Sequence, residues 1–330
     1  MHKKILYYWR FKKEQHHMRR SIKSVFTVRP QRFRPHHIKP VYFYGSYDLS
    51  SFKITGAYPL EALKMLKVKA YSGWNVPPED LKNSILVFVK RGMPASIKKI
   101  KANGNRIIID MQDNFIENDG ALNPNFIGRD VADYLLFPNQ ALLDKFLSIK
   151  PTTSKCLVFH GFCDPVISAI FKKKKKSFLP GLRCCYFGFK FNLSLDKIGQ
   201  AEKIFKIEVI PLTESNFNQW VEQLRHFNLH IDLRPVSEDN LYKPLTKVSI
   251  AAECRSNILI EKSARVLEML PEDYPYLIEN NDLETAMRRA KETYGTPVWD
   301  RALEMMADVR EKYSFSNHMQ KFIGLLQSLS

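Results

Sequence analysis

The sequence lacks several features that would place it in a specialised class. It has no apolar run of about 18 or more residues, so we expect no transmembrane helix. Its N-terminus carries basic residues but no apolar stretch followed by a small-residue cleavage site, so we expect no signal peptide. The five cysteines, Cys156, Cys163, Cys184, Cys185 and Cys254, match no zinc or disulfide spacing. Reduced thiols in a reducing compartment are therefore predicted.

Two nucleotide-binding signatures and any internal repeat are also missing. There is no Walker-type loop and no strand–GxGxxG–helix fingerprint, which argues against an ATPase or a dehydrogenase. No segment recurs at a fixed period. What remains is an ordinary globular composition, with 45% hydrophobic and 26% charged residues. A chain of 330 residues is long enough for two domains with cores of their own.

The net charge of +17 is concentrated in two short segments. Residues 1–40 carry twelve Lys and Arg side chains and a single acid, Glu14, and five lysines follow one another at 172–176. The rest of the chain is nearly neutral, which argues against a nucleic-acid-binding face. The aromatic residues of 5–11 lie among the first basic residues, a combination typical of contact with an anionic membrane surface. The alternative is a solubilising tail.

Apolar strands alternate with helical segments in the first half of the chain. The strands are predicted at Val41–Tyr44, Ile85–Val89, Arg106–Asp110 and Cys156–His160. Strands that are apolar throughout indicate a parallel sheet covered on both faces, whose ligands bind beyond the carboxyl ends of the strands. The polar side chains predicted at those ends are Asp110, Asp113, His160 and Asp164.

The same alternation restarts after the lysine run, so two α/β units in tandem are predicted. The predicted organisation is a basic N-terminal arm over 1–40, a first domain over 41–165, a Lys-rich linker over 166–181, a second domain over 182–312, and a C-terminal helix over 313–330 that packs toward the first domain.

The segment Asp232–Glu253 carries a recognisable order of residues. It has an aspartate and a proline, an acidic loop, two lysines separated by three residues, and a helix of small residues that ends in glutamate. This order resembles the GT-B glycosyltransferases, and most closely the nucleotide-sugar enzymes that build bacterial surface polysaccharides. Ile108–Asp113 and Phe159–Asp164 look like that family's strand-end acids and its His segment. The sequence departs from the family at 255–257, where Arg-Ser-Asn replaces a Gly-rich turn.

The resemblance implies two Rossmann-like domains of GT-B type facing a central cleft. It implies transfer of a sugar from a nucleotide-sugar donor to a glycan or lipid-linked glycan acceptor, as in lipopolysaccharide or capsule synthesis. No cofactor and no metal are expected. With the basic arm on an anionic membrane, the expected location is cytoplasmic, peripheral on the cytoplasmic face of the inner membrane.

Breaking the glycosidic bond of a nucleotide sugar leaves negative charge on the phosphates, and fixed cations and helix N-termini stabilise that charge without a metal. Lys243 and Lys247 are four residues apart, so on one helical turn they would project the same way. Pro244 between them predicts the first turn of a helix. Gly188, Lys190 and Arg234 are further predicted donor-binding residues, and the resemblance implies the same role for Glu253 and Glu261, which are separated by seven residues as in the family. For the lysines the alternative is a solvated pair, and for Arg234 a surface ion pair with Glu238 or Asp239.

Asp110, Asp113 and His160 are the predicted catalytic residues, because a carboxylate or an imidazole near the acceptor hydroxyl can take its proton. The alternatives are turn formation around Asp113 and a structural role for His160. The sequence does not decide between inversion and retention of configuration. It also leaves open a nucleotide-sugar epimerase of the same architecture, and a nucleic-acid-binding protein that uses the basic arm.

Overall fold

The computed structural model describes residues 16–26, 34–45, 50–73, 75–90, 96–112, 131–149, 151–173, 179–188, 194–211, 217–234 and 238–330. The chain forms two compact units. The first comprises Met1–Gly161, Tyr242–Pro244 and Phe315–Ser330, and the second comprises Phe162–Leu241 and Leu245–Ser314. The change from the first unit to the second thus falls at residue 161, close to the domain end predicted at residue 165.

The first unit contains a six-stranded parallel sheet. In the order β2-β1-β3-β4-β5-β6, its strands are β1 (Val41–Tyr44), β2 (Ala70–Ser72), β3 (Ile85–Val89), β4 (Arg106–Asp110), β5 (Tyr134–Phe137) and β6 (Lys155–Val158). Strands β3 and β5 are buried along their whole length. These residues are apolar on both faces because helices or other segments cover both sides of a parallel sheet.

Helices of the first unit lie before and between these strands. They are α1 (residues 16–25), α2 (Ser50–Phe52), a π-helix (Lys53–Ala57), α3 (Tyr58–Met65), α4 (Ile97–Ala102) and α5 (Gln140–Ile149), with 3-10 turns at Pro35–His37 and Pro78–Asp80. No helix in the described ranges is long and apolar enough to cross a membrane.

Part of the segment predicted as a basic arm is folded onto the first unit. In α1, Met18 and Ile22 are buried, and the Arg19 guanidinium hydrogen-bonds the buried carboxylate of Glu61 on α3. Ile38 is buried as well. The described residues 16–26 and 34–40 of the predicted basic arm thus belong to the first unit, because apolar residues at helical spacing give α1 one face that packs against it.

The second unit contains a five-stranded parallel sheet. In the order β11-β10-β9-β7-β8, its strands are β7 (Cys184–Gly188), β8 (Ile207–Pro211), β9 (Leu229–Ile231), β10 (Asn257–Glu261) and β11 (Leu277–Ile278). The chain moves outward from β7 to β8 in one direction and from β9 to β11 in the other. The switch point of the sheet therefore lies between β7 and β9, and in such sheets ligands bind at the carboxyl ends on either side of the switch.

Helices of the second unit are α6 (Pro165–Lys173), α7 (Leu195–Glu202), α8 (Phe217–Leu224), α9 (Glu238–Tyr242, whose last residue falls in the first unit), α10 (Thr246–Glu253), α11 (Ala264–Leu267), α12 (Leu283–Thr293) and α13 (Pro297–Lys312). Helix α6 occupies part of the predicted linker, and its Val166, Ile167 and Phe171 are buried. The Asp164 carboxylate caps α6 by accepting the Val166 N–H at 2.7 Å. Lys172 and Lys173, the first two residues of the lysine run, end this helix, so the predicted linker is helical over 166–173.

The last helix, α14 (Phe315–Ser328), returns to the first unit. Its Phe322 ring lies 6.1 Å from that of Phe43 on β1, and its Ser328 hydroxyl is 3.2 Å from the Tyr134 hydroxyl on β5. This helix thus covers a face of the first sheet. The predicted fold class, α/β with two Rossmann-like units, is confirmed by the two parallel sheets.

Candidate functional site

Four predicted or neighbouring residues meet at the switch point of the second sheet. Gly188 ends β7, Asp232 and Arg234 follow β9, and Lys247 is the second residue of α10. Strands β7 and β9 are hydrogen-bonded neighbours, so their carboxyl ends open at the same place. This is where an α/β sheet of this strand order binds its ligand.

Lys247 is buried at this site, with only 4% of its surface exposed. Its Nζ donates to the Phe187 carbonyl oxygen at 2.7 Å and lies 3.6 Å from the centroid of the Tyr186 ring. Burial lowers the pKa of Lys247 to about 8, and the charge of Arg234 lowers it further while Asp232 opposes the shift. At neutral pH the site therefore holds an ammonium group that is largely removed from water.

Asp232 lies between two cations without hydrogen-bonding either. Its Oδ1 is 3.9 Å from Lys247 Nζ and 3.9 Å from Arg234 Nε. Asp232 Oδ1 and Arg234 Nε are both buried and have no hydrogen-bond partner in the described part of the chain. Buried polar atoms usually have partners, so this pair of atoms is typical of a site that a ligand completes.

Arg265 on α11 adds a third cation. It is 8% exposed, and burial lowers the pKa of its guanidinium to about 10, an effect that the charge of Asp232 opposes and that of Arg234 reinforces. We call Asp232, Arg234, Lys247 and Arg265 the cation cluster. Its members are three cations and one carboxylate, so the cluster itself carries a net charge of about +2, which favours an anionic ligand; Glu268 adds a smaller opposing charge beside Arg265.

Gly188 is held in a conformation that suits glycine. Its φ is +149°, and a Cβ at this position would fall 2.9 Å from the Tyr186 hydroxyl oxygen. The Tyr186 side chain therefore occupies the space that a side chain at 188 would need, and glycine fits both this space and the positive φ. The next described residue after Gly188 is Ser194, and its N–H donates to the Leu233 carbonyl at 3.0 Å. Lys190 lies outside the described residues.

The two predicted glutamates lie at different ends of the sheet. Glu261 ends β10, next to β9; it is 3.3 Å from Lys197 Nζ and accepts the Asn281 N–H at 3.1 Å. Glu253 is the last residue of α10, six residues or about 9 Å along the helix axis from Lys247. The structure therefore brings Glu261 near the cation cluster but not Glu253.

Glu253 instead belongs to a buried polar group inside the second unit. Burial raises the pKa of its carboxyl group to about 7, although hydrogen bonds with Ser168 and Cys163 and the charge of Arg310 act in the opposite direction. It contacts α6 and α13 rather than the strand ends, so its surroundings are those of an interior carboxyl.

Lys243 does not share a helical turn with Lys247, which corrects the sequence prediction. Helix α10 begins at Thr246 after its cap residue Leu245, and Lys243 lies before it. The ring of Pro244 disfavours helical geometry at the residue that precedes it, so the helix starts after the proline rather than around it. Lys243 belongs to the first unit, where its carbonyl accepts the Asn139 side-chain N–H at 3.4 Å.

The predicted catalytic residues of the first unit lie at strand ends. Asp110 ends β4, is buried, and accepts the Gln112 side-chain N–H at 2.5 Å. His160 follows β6, two strands along, and its Nδ1 is 3.2 Å from the Pro138 carbonyl oxygen. A carbonyl only accepts, so Nδ1 carries the proton and Nε2 of the neutral ring is the basic nitrogen. Asp113 lies outside the described residues.

Sequence reasoning missed Arg265, Asp232 and Tyr186 as members of the site. Arg265 follows a buried strand by a few residues, as Arg234 does, so the same rule would have found it. Asp232 was noted in the sequence only as the start of a motif. Nothing in the sequence indicated that the Tyr186 ring lies beside Lys247, which is 61 residues further along the chain. In the described part of the chain, no three His, Cys, Asp or Glu side chains are grouped to hold a metal ion.

Comparison with known proteins gives structural relatives only. No protein-family model and no curated protein sequence matches the chain. A glycosyltransferase from Rickettsia africae is similar with a TM-score of 0.63 and 9% identity, over 88% of this chain and 98% of that one. A structure described as trehalose-6-phosphate from E. coli bound with UDP-2-fluoro glucose is similar with a TM-score of 0.56 and 12% identity, over 82% and 76% of the two chains.

A third similar structure is the GtfA/B complex, with a TM-score of 0.52 and 9% identity. The match covers 76% of this chain but only 58% of that one, so the chain spans little more than half of its length. At identities this low, the comparison shows that the chain shares the fold of these proteins, and it does not show that the chain shares their substrates.

Proposed function

Because the chain has the fold of the GT-B glycosyltransferases, we propose that it transfers a sugar from a nucleotide-sugar donor to a glycan or lipid-linked glycan acceptor. The observation that carries the proposal is the cation cluster at the switch point of the second sheet. A donor's phosphates are the anionic group that such a cluster fits, and one structural relative is described with a bound UDP-sugar analogue.

The cluster supplies the chemistry that departure of the nucleotide requires. As the glycosidic bond breaks, negative charge grows on the leaving phosphate, and Lys247, Arg234 and Arg265 stabilise it from fixed positions. Gly188 remains the proposed point of backbone contact with the phosphates, and the Glu261 carboxylate can accept hydrogen bonds from donor hydroxyls. Three fixed cations can stabilise the charge on the leaving phosphates, which is the role of the metal ion in other transferases. We therefore propose metal-independent transfer.

The acceptor would be activated by a residue of the first unit. His160 has its basic Nε2 defined by the hydrogen bond at Nδ1, and Asp110 and Asp113 are the other candidate bases. Lys190 and Lys243 remain proposed donor contacts on the sequence pattern alone. Glu253 is left out of the donor site because its carboxyl lies at the opposite end of α10.

An anionic membrane is the proposed site of action, and α1 gives the proposal a defined surface. Its buried residues fix the helix to the first unit, while Arg20 and Lys23 are exposed, as are Arg34 and His36 nearby in sequence. Each basic residue near such a membrane contributes about 1 kcal/mol. The expected location is therefore the cytoplasmic face of the inner membrane.

Sedimentation with phosphatidylcholine vesicles, with and without phosphatidylglycerol, tests the membrane proposal. The double variant Arg20→Glu, Lys23→Glu should bind the anionic vesicles at least about tenfold more weakly than wild type. Lys98→Glu, Lys99→Glu on α4 is the matched control, since it makes the same charge change on an exposed helix of the same unit. Equal binding by both double variants would contradict a specific role for α1.

A thermal-shift panel of UDP, GDP, CMP, dTDP, ADP and a short DNA duplex tests the function itself. A ligand that binds only the folded protein raises its Tm. A selective shift with one nucleotide is the expected result and identifies the donor class. A shift with DNA alone, lost at high salt, would instead support a nucleic-acid-binding protein. An epimerase would also bind a nucleotide, and only product analysis separates it from a transferase.

A further inference from the structure

Tyr186 lies against two residues of the candidate donor site. Its side chain is fully buried in β7, and the centroid of its ring is 3.6 Å from Lys247 Nζ. Its hydroxyl oxygen is the atom nearest to where a Cβ on Gly188 would lie, at 2.9 Å. Burial raises the pKa of Tyr186 to about 12, and the charge of Asp232 acts in the same direction while that of Arg234 opposes it.

The Tyr186 ring attracts the Lys247 ammonium without neutralising its charge, whereas a carboxylate would neutralise it. The face of an aromatic ring attracts a cation through its quadrupole and leaves the positive charge in place. An ammonium has three N–H donors, and Lys247 uses one of them on the Phe187 carbonyl at 2.7 Å. Asp232 stays at 3.9 Å, beyond hydrogen-bond distance. The lysine is therefore fixed in position while its charge remains available to a ligand.

We propose that Tyr186 is a positioning residue for the donor phosphates, and that the face of its ring, rather than its hydroxyl, orients the Lys247 ammonium toward them. This inference rests on the proposed function and adds a residue to it. It predicts that the electron density of the ring sets nucleotide affinity even when the shape of the ring is unchanged.

Two substitutions of the same shape isolate the ring face. Tyr186→Phe keeps the negative face of the ring, and replacement of Tyr186 by trifluorophenylalanine keeps the shape but removes most of that negative charge. The matched control is the same pair at Tyr276, which is also fully buried in the second unit and hydrogen-bonds the Thr293 hydroxyl at 2.9 Å instead of facing a cation.

The measurement is calorimetric titration of each variant with UDP, GDP, dTDP and ADP near neutral pH and again above pH 8. Tyr186→Phe should bind within about twofold of wild type, and the fluorinated variant about tenfold more weakly. The weakening should grow with pH, because an ammonium left with only the more distant Phe187 ring, whose centroid is 4.8 Å from Nζ, loses its proton more readily. Both Tyr276 variants should match wild type.

Each outcome separates the two proposals. A wild-type protein that binds none of the four nucleotides contradicts the proposed function. Wild-type binding with equal affinity in both Tyr186 variants contradicts the role of the ring face alone. Equal weakening in both Tyr186 variants would assign the effect to the hydroxyl and overturn the inference, while leaving the donor site intact.

Discussion

Asp232 and Lys247 face each other at 3.9 Å between Oδ1 and Nζ, and this carboxylate is the only acid within the cation cluster as the described residues define it. Without a ligand, Asp232 offsets the mutual repulsion of Lys247, Arg234 and Arg265, and Glu268 adds to this effect at Arg265. A bound phosphate would take over that role, so the stability of the second unit and ligand binding are coupled through one side chain.

Asp232→Asn should therefore lower the Tm of the free protein, with a loss of about 3 kcal/mol in the free energy of unfolding, because buried cations lose their counter-charge. A saturating nucleotide should restore more Tm in this variant than in wild type. Asp273→Asn is the control, since Asp273 pairs with Arg301 on the surface and its loss should matter little. Equal ligand-induced shifts in Asp232→Asn and wild type would contradict the coupling.

Lys247→Met should reduce transfer by about 100-fold or more, because the leaving phosphate loses one buried cation that is in place before the reaction starts. Lys243→Met, measured in parallel, tests the prediction from sequence that both lysines meet the donor. The structure gives Lys247 the burial and the contacts of a preorganised group, whereas Lys243 is half-buried and precedes the helix. Wild-type rates in Lys247→Met would remove the phosphate role.

Donor affinity should fall as the pH rises through about 8, the value to which burial lowers the pKa of Lys247. Above that value the folded protein loses the ammonium proton, and affinity should drop by up to about tenfold per pH unit. Lys247→Arg keeps its charge at these pH values, so its affinity should not show this alkaline loss. Titrations of both proteins from about pH 7 to about pH 9.5 check the prediction; parallel curves would assign the loss to another group.

The strand pattern made the fold class predictable, because β1 and β3 are apolar along their length, β4 has three apolar residues at its centre, and the bounds of all three coincide with those predicted. The three-residue edge strand β2 escaped detection because Tyr71 and Ser72 face outward and give no apolar run. Helix α1 was not predicted because basic residues dominate its sequence. Its two buried apolar residues, Met18 and Ile22, are recognisable as core residues only from their packing on the first unit.

The site was predictable only in part, and for a physical reason. Arg234 is marked by its position after a strand and Lys247 by its position at the start of a helix, and both are local properties of the sequence. The pairing of Tyr186 with Lys247 and of Arg265 with Asp232 depends on how β7, β9 and β10 lie side by side. Strand order is a tertiary property that no local pattern carries.

Glu253 should make the protein less stable as the pH rises from about 4.5 to about 7. Burial raises the pKa of this carboxyl in the folded state, so the folded protein holds the proton that the unfolded chain releases, and roughly 3 kcal/mol is lost across that window. Asp164, Arg310 and the Cys163 thiol also face Glu253 and modulate the size of the effect.

Glu253→Gln should therefore raise the Tm at about pH 8 and leave it nearly unchanged at about pH 5, because glutamine resembles the protonated carboxyl. Glu284→Gln is the control, since Glu284 pairs with Arg288 on the exposed side of α12. A Glu253→Gln protein whose Tm follows the pH dependence of wild type would show that this carboxyl is ionised throughout the range.

Arg255→Gly should stabilise the second unit by about 1 kcal/mol. Arg255 follows Cys254, the C-cap of α10, and has a φ of +53°, while the Ser256 N–H donates to the Ala251 carbonyl at 3.0 Å; glycine is the usual residue at this position of such a turn. Arg288→Gly, inside α12, should destabilise by a similar amount and serves as the control. Denaturant unfolding measures both, and a loss of stability in Arg255→Gly would show that the arginine side chain contributes more than its backbone costs.

The most direct test of the central claim is release of free nucleoside diphosphate from a panel of UDP-, GDP-, ADP- and dTDP-sugars, with EDTA present. The account predicts release from one donor class by wild-type protein, unaffected by EDTA and lost in Lys247→Met, because the cation cluster stabilises the leaving phosphates. Interconversion of donor sugars without release of nucleotide would identify an epimerase. Release that requires a divalent metal ion, or that persists unchanged in Lys247→Met, would contradict the role assigned to the cluster.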